Sequence, residues 1–127
     1  LIMGIGIDIV EIERIHKIVG RQENAFLNRV FTEKEREVFP ELEGRRMEFI
    51  AGRFAAKEAI SKALGTGIGK ELSFQEMEVI ADKTGKPGVL VDPSVMLRVI
   101  GTANCNWHLS ISHSKQYAVA QAIVEKL

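Results

Sequence analysis

Two carboxylates and one lysine in this 127-residue chain stand where their types and spacing could do chemistry. Asp8 lies in the run Gly4-Ile5-Gly6-Ile7-Asp8-Ile9, where isoleucines alternate with the other residues at the period of a strand with one buried face. Asp8 therefore points opposite the isoleucines. Asp is depleted in strands and costly to bury alone, so this one caps the helix that follows, sits at an exposed strand end, or serves something positive. Glu58 and Lys62 are four apart on a predicted helix, the spacing of an ordinary surface ion pair worth about 0.2–0.5 kcal/mol. That pair runs at once into the glycine-rich Gly65-Thr66-Gly67-Ile68-Gly69, and a second polar segment, Ile111-Ser112-His113-Ser114, follows near the end. His113, on a strand-to-turn corner, suits structural hydrogen bonding as much as ligand contact. No second histidine or cysteine stands at metal-ligand spacing from it, which disfavours zinc.

The element that must position Glu58 and Lys62 is the stretch from Arg53 to Gly69. Its first part is rich in Ala, Leu, Lys and Glu, a helix by propensity, and its glycines predict an end near Leu64. At about 100° per residue, Ala55, Ala56, Ala59, Ile60 and Ala63 share one face, with Lys57, Glu58, Ser61 and Lys62 on the other. The alanine face predicts a close approach to a sheet or another helix.

Upstream, helical spacing begins at Val10, turns Ile12, Ile15 and Val19 inward, and ends at Gly20. Arg21, Phe26, Leu27 and Arg29 form a second short helical segment that interleaves charge with large apolar groups. Thr32-Glu33-Lys34-Glu35 is a capping-box pattern opening another helix, which Pro40 ends or interrupts. A polar segment with Gly44, Arg45 and Arg46 then leads into Phe49 and the central helix. Downstream, Leu72 to Ala81 and Val89 to Val91 predict a hairpin, and Asp92-Pro93 predicts an N-cap for a helix reaching about Ile100. Asn106 to Ser112 and Tyr117 to Val124 predict the last strands, the latter with Ala118, Ala120, Ala122 and Val124 on one face. Strands and helices mix without strict alternation, which predicts one α+β domain, a mostly antiparallel sheet packed against a long central helix.

With 46% hydrophobic and 27% charged residues the chain has the composition of a soluble globular domain. Its formal net charge is zero, so neither nucleic acid nor an anionic membrane is an expected partner, and any anion must be held by a local basic cluster. The lone Cys105 excludes an intramolecular disulfide and fits the cytoplasm. No secretory pattern opens the sequence and no apolar run approaches the roughly 20 residues of a membrane span, so a cytoplasmic protein is expected.

Taken together, Arg53-Phe54-Ala55-Ala56-Lys57-Glu58-Ala59-Ile60-Ser61-Lys62-Ala63, the early Gly4-Ile5-Gly6-Ile7-Asp8 and the late Ile111-Ser112-His113-Ser114 resemble the holo-[acyl-carrier-protein] synthases. These are the short bacterial-type branch of the 4′-phosphopantetheinyl transferases, and the motifs span nearly the whole chain in the right order. The resemblance implies the fold of that family, and transfer of 4′-phosphopantetheine from coenzyme A to a serine of apo acyl carrier protein, in fatty acid biosynthesis. It implies Asp8 and Glu58 as ligands of Mg²⁺, with Lys62 as a catalytic residue at the diphosphate. Arg45 and Arg53 are expected at the 3′-phosphate end of coenzyme A, joined in the coenzyme site by Lys57, Ser61, Gly65, His113 and Ser114. Arg14, Arg21 and Phe26 are expected to dock the carrier's acidic recognition helix. A homotrimer with active sites between subunits is implied as well.

The implied chemistry is consistent with the residue types. Attack on a diphosphate calls for a hard cation, and Mg²⁺ takes one or two carboxylates plus substrate phosphate and water. The base that removes the serine proton is either Glu58 or a metal-bound water. A carboxylate already ligating metal is a weak base, which favours the water. The glycine-rich segment is no Gly-x-x-x-x-Gly-Lys-Ser phosphate loop, because its lysine-bearing helix comes first. The competing reading is a non-catalytic module that binds coenzyme A or a carrier protein.

Overall fold

Alternate residues of the first strand are small or polar, and their contact with the central helix organises the molecule. The computed structural model describes residues 1–127. Its elements in order are β1 (Ile2–Glu11), α1 (Ile12–Val30), α2 (Glu33–Arg36), α3 (Glu43–Leu64), β2 (Met77–Ala81), β3 (Pro87–Val91), α4 (Pro93–Val99), β4 (Cys105–His113) and β5 (Tyr117–Lys126), with a 3-10 turn at Phe74–Glu76. The strands form an antiparallel sheet in the order β1-β5-β4 and a separate β2-β3 hairpin. This is the expected α+β architecture, with the strands divided between two sheets. No helix is long and apolar enough to cross a membrane.

Helix α3 is 22 residues, about 33 Å at 1.5 Å per residue, and it begins at Glu43, well before Phe49. It stops at Gly65, whose φ of 79° is the left-handed conformation that glycine adopts readily. Ile50, Ala51, Ala55, Ala56, Ala59 and Ile60 are fully buried. The polar side is buried in part too. Lys57 and Ser61 have 0% exposure, and on the face that spacing alone reads as polar the end of α1 and the 3-10 turn close over Lys57.

The first strand corrects a second expectation. Ile5, Ile7 and Ile9 do not enter the core: they are 59%, 59% and 65% exposed, and Gly4, Gly6, Asp8 and Val10 take the side facing α3. The reason is steric. A Cβ at Gly4 would lie 1.8 Å from the Ala63 oxygen and one at Gly6 would lie 2.0 Å from the Ala59 oxygen, so only glycine lets the strand come this near. The neighbouring strand answers in kind, placing Ala118, Ala120, Ala122 and Val124 in the core. The isoleucines are left on the outer face, where Ile5 pairs with Ile123 and Ile9 with Val119.

Helix α1 is broken at Gln22 (φ −141°, ψ 50°), close to the expected division at Gly20. The capping box at Thr32 forms, with Thr32 N donating to Glu35 Oε1 at 2.8 Å and Glu35 N donating to Thr32 Oγ1 at 3.2 Å. The helix it opens is a single turn that closes at Arg36, before Pro40 is reached. Its Glu35 is buried and meets Lys57 Nζ at 2.6 Å, while Val79 N donates to the other carboxylate oxygen at 2.7 Å. Burial pulls the Lys57 ammonium below its ordinary pKa, and the Glu35 carboxylate opposes that pull. Such a buried pair specifies geometry more than it adds net stability. At Asp92 the expected N-cap forms, its carboxylate accepting from Ser94 N at 2.9 Å.

The β1–α3 contact yields a paired prediction. Gly6→Ala is expected to lower unfolding free energy by about 3 kcal/mol, since backbone atoms must move to admit the methyl group. Gly20→Ala, with open space around its Cβ, should lose nothing. Urea denaturation of both variants checks this, and equal stability would contradict the steric account.

Candidate active site

Asp8 and Glu58 become neighbours because β1 lies so close on α3. Asp8 follows Gly6 on the helix-facing side, and its side chain is 17% exposed. Lys62 Nζ donates to Asp8 Oδ1 and to the Ile7 carbonyl, each at 3.0 Å. The lysine thus pairs across to the strand carboxylate, and the ion pair with Glu58 suggested by helical spacing does not form. Glu58 is half-buried on the next turn. Burial first, then the Asp8 carboxylate, push its carboxyl above the ordinary glutamate pKa, while Lys62 and Arg29 pull it back.

A Glu58 carboxyl whose ionisation is opposed by burial and by the Asp8 charge makes a place that a small divalent cation would relieve. No third His, Cys, Asp or Glu joins them in a metal-binding group. That donor set fits Mg²⁺, which completes its shell with substrate oxygens and water, better than a closed zinc centre of four protein ligands.

Glu58 also lines a cleft of about 520 Å³ between α1, the end of α3 and the 3-10 turn. Phe26, Phe54 and Phe74 give it an apolar lining, stacked in sequence with ring centroids 5.8 Å apart at each step. Arg14 and Arg29 bring positive charge, and the Arg29 guanidinium sits 5.7 Å over the Phe74 ring. Of the residues expected to dock a partner, Arg14 and Phe26 line this cleft, whereas Arg21 is exposed on α1 and does not.

A second concavity of about 310 Å³ joins Arg45, Glu48, Phe49 and Arg53 of α3 to His113 at the end of β4. His113 Nδ1 stands 3.3 Å from Glu48 Oε2. The Arg53 guanidinium lies 4.5 Å over the Phe49 ring, and burial lowers its pKa from the ordinary arginine value. Three expected anion contacts, Arg45, Arg53 and His113, are therefore gathered in one place.

Two other expected coenzyme contacts, Lys57 and Ser61, are turned into the core. All three donors of Lys57 are used inside the core, by Val30 O, Phe74 O and Glu35. The Ser61 hydroxyl, fully buried, donates to the Glu58 carbonyl at 2.6 Å. Neither side chain can reach a ligand without opening the core. Gly65 N caps the helix by donating to Lys62 O, and the Ser114 hydroxyl accepts from Tyr117 N at 3.2 Å in the β4–β5 turn.

Sequence reasoning did not single out Arg29, Glu48, Phe54 or Phe74 as site residues. Arg29 stands three residues after Phe26, on the same helical face, and Glu48 stands three after Arg45, so spacing carried a signal for both. Phe74 comes from a distant segment and had none.

The chain is similar to known proteins along nearly its whole length. Residues 4–122 match the family described as the 4′-phosphopantetheinyl transferase superfamily. The holo-[acyl-carrier-protein] synthase of Bacillus cereus (strain ATCC 14579) is 51% identical over 128 residues, covering 100% of this chain and 98% of the relative. That of Geobacillus kaustophilus is 52% identical, covering 100% and 92%. Among solved structures, the Bacillus anthracis synthase in complex with CoA (3′,5′-ADP) superposes with a TM-score of 0.83 at 49% identity, over 99% of this chain and 98% of that one. The Helicobacter pylori enzyme in complex with coenzyme A gives 0.85 at 38% identity, over 95% and 99%. With Asp8, Glu58 and Lys62 brought together on a fold shared end to end with these proteins, the chain belongs to the 4′-phosphopantetheinyl transferase superfamily, its full-length relatives being the holo-[acyl-carrier-protein] synthases.

Proposed function

We propose that this chain transfers 4′-phosphopantetheine from coenzyme A to a serine hydroxyl of an apo acyl carrier protein, releasing adenosine 3′,5′-bisphosphate. The observation that carries the reading is the convergence of Asp8, Glu58 and Lys62 beside an apolar cleft with basic residues. In the transfer, the serine oxygen bonds to the phosphorus that bears the pantetheine arm, and the bond from that phosphorus to the adenosine-side oxygen breaks. Asp8 and Glu58 are the residues that would hold Mg²⁺, which when bound offsets the charge that builds on the diphosphate. The half-exposed Lys62 ammonium turns from Asp8 to the same diphosphate and stabilises the leaving oxygen.

Arg45, Arg53 and His113 suit the 3′-phosphate of the coenzyme, since a guanidinium held over an aromatic ring meets phosphate with its planar fork of donors. The cleft suits the carrier. An amphipathic acidic helix would lay its apolar side on Phe26 and Phe54 and its carboxylates against Arg14 and Arg29, with Arg21 reached only beyond the cleft. A cytoplasmic role in fatty acid biosynthesis follows from that substrate pair.

The outer face of the β1-β5-β4 sheet supports a homotrimer. Ile5, Ile7 and Ile9 are exposed there beside Val119 and Ile123, a contiguous apolar strip that a soluble chain covers with a partner. On one chain Arg45, Arg53 and His113 line one concavity and Glu58 another, so in the trimer one coenzyme would bridge the first concavity of one subunit and the carboxylates of its neighbour.

Incubation with apo carrier protein, coenzyme A and Mg²⁺ is expected to give the carrier the mass of one phosphopantetheine arm. EDTA should abolish the gain, and Asp8→Ala or Glu58→Ala should slow it about 100-fold or more without unfolding the chain. Near wild-type turnover in either variant would refute the metal assignment. Light scattering is expected to give the mass of three chains, and Ile7→Lys should dissociate them. A one-chain mass for the wild type at working concentration would rule the trimer out.

A further inference from the structure

The buried lysine that the coenzyme does not use has another task. Lys57 Nζ donates to Val30 O at 2.7 Å, Phe74 O at 3.0 Å and Glu35 Oε1 at 2.6 Å, so an ammonium with three donors has three acceptors. Val30 and Phe74 both line the cleft that holds Phe26, Arg29 and Glu58. Gln75, next to Phe74, works on the same helix end: its Nε2 donates to Asn28 O and Phe31 O, each at 2.8 Å.

These contacts fall where a helix needs them. The last carbonyls of α1 have no partner within the helix and carry the negative end of its dipole, so a buried cation and an amide are well placed there. The break at Gln22 makes them more important. Because the backbone leaves helical geometry at that residue, the segment carrying Phe26 and Arg29 does not inherit its orientation from the first half of α1. It is held instead from its far end, against α3 by Lys57 and against the 3-10 turn by Gln75. Glu35 fixes Lys57 in turn, and is itself tied to β2 through Val79 N.

We infer that Lys57 and Gln75 are positioning residues for the carrier-protein cleft, clamping the distal half of α1 so that Phe26 and Arg29 meet the carrier in register with Glu58. The inference rests on the functional reading above and names the groups that shape its docking surface. Neither residue touches Asp8 or Lys62 or lines the concavity of Arg45, Arg53 and His113, and Gln75 is also clear of Glu35, whose charge acts on Arg53, so the coenzyme should not sense the loss of Gln75.

The test uses Gln75→Ala and Lys57→Met in the full-length chain, with steady-state kinetics in both substrates and amide hydrogen exchange. Each variant is expected to raise the carrier KM about tenfold, and in Gln75→Ala the coenzyme A KM should stay within about twofold. Exchange should quicken across residues 25–31 and stay unchanged across the second half of α3. Should Lys57→Met fail to fold, Gln75→Ala, which leaves the buried ion pair intact, decides the matter. An unchanged carrier KM, or equal rises in both KM values for Gln75→Ala, would overturn the inference. Hydrogen exchange needs no assay of activity, so absence of transfer by the wild type would defeat the functional reading alone. Unchanged protection across residues 25–31 would overturn the clamp itself.

Discussion

The structure depends on how close one strand can come to one helix. Gly4 and Gly6 have no Cβ, and the Ala59 and Ala63 backbone occupies the space those atoms would fill. Every consequence for the site runs through that contact. It sets Asp8 within reach of Lys62 and close enough to Glu58 for the Asp8 charge to oppose ionisation of the Glu58 carboxyl. It also turns the isoleucines outward, so the geometry that assembles the carboxylates leaves an exposed apolar face on the sheet. The proposed catalytic centre and the proposed assembly surface are two sides of one strand.

The other side of α3 is built on a different principle. There the core is polar at its centre, with Glu35 and Lys57 exchanging charge among backbone groups from α1, α2, β2 and the 3-10 turn. No buried polar side-chain atom is left without a partner. An apolar core of similar volume could hold these segments together, though with less say over their exact register. A directed network suits a cleft whose wall is a broken helix. The tilted Phe26, Phe54 and Phe74 rings, in contact one after another, then carry that order to the surface of the cleft proposed for the carrier.

Features decided by neighbours in sequence could be read from it: the capping box at Thr32, the glycine stop at Gly65, the Asp92 cap, the break in α1 and the alanine face of β5. Each is a contest settled within one or two turns of chain. What could not be read was which face of an element another element would cover. The alternation in β1 was plain, yet hydrophobicity assigned its faces the wrong way, because shape outweighed burial of isoleucine at the helix contact. Lys57 and Ser61 belong to a motif that reads as a polar ligand-binding face, yet both are buried, Lys57 among carbonyls and a carboxylate from segments distant in sequence and Ser61 on the carbonyl of Glu58 one turn before it. Arg45, Arg53 and His113 were brought together by resemblance, and the fold places them around one concavity.

If the carboxylates act as one unit, their effects on transfer must not add. A double-mutant cycle on Asp8→Asn and Glu58→Gln, read as the rate of phosphopantetheine transfer at saturating Mg²⁺, tests this directly. The account predicts that the double variant is little slower than the worse single variant, since losing either carboxylate already undoes the shared site. Rate losses that multiply would mean that the two residues act independently, and would contradict a catalytic centre made by the approach of β1 to α3.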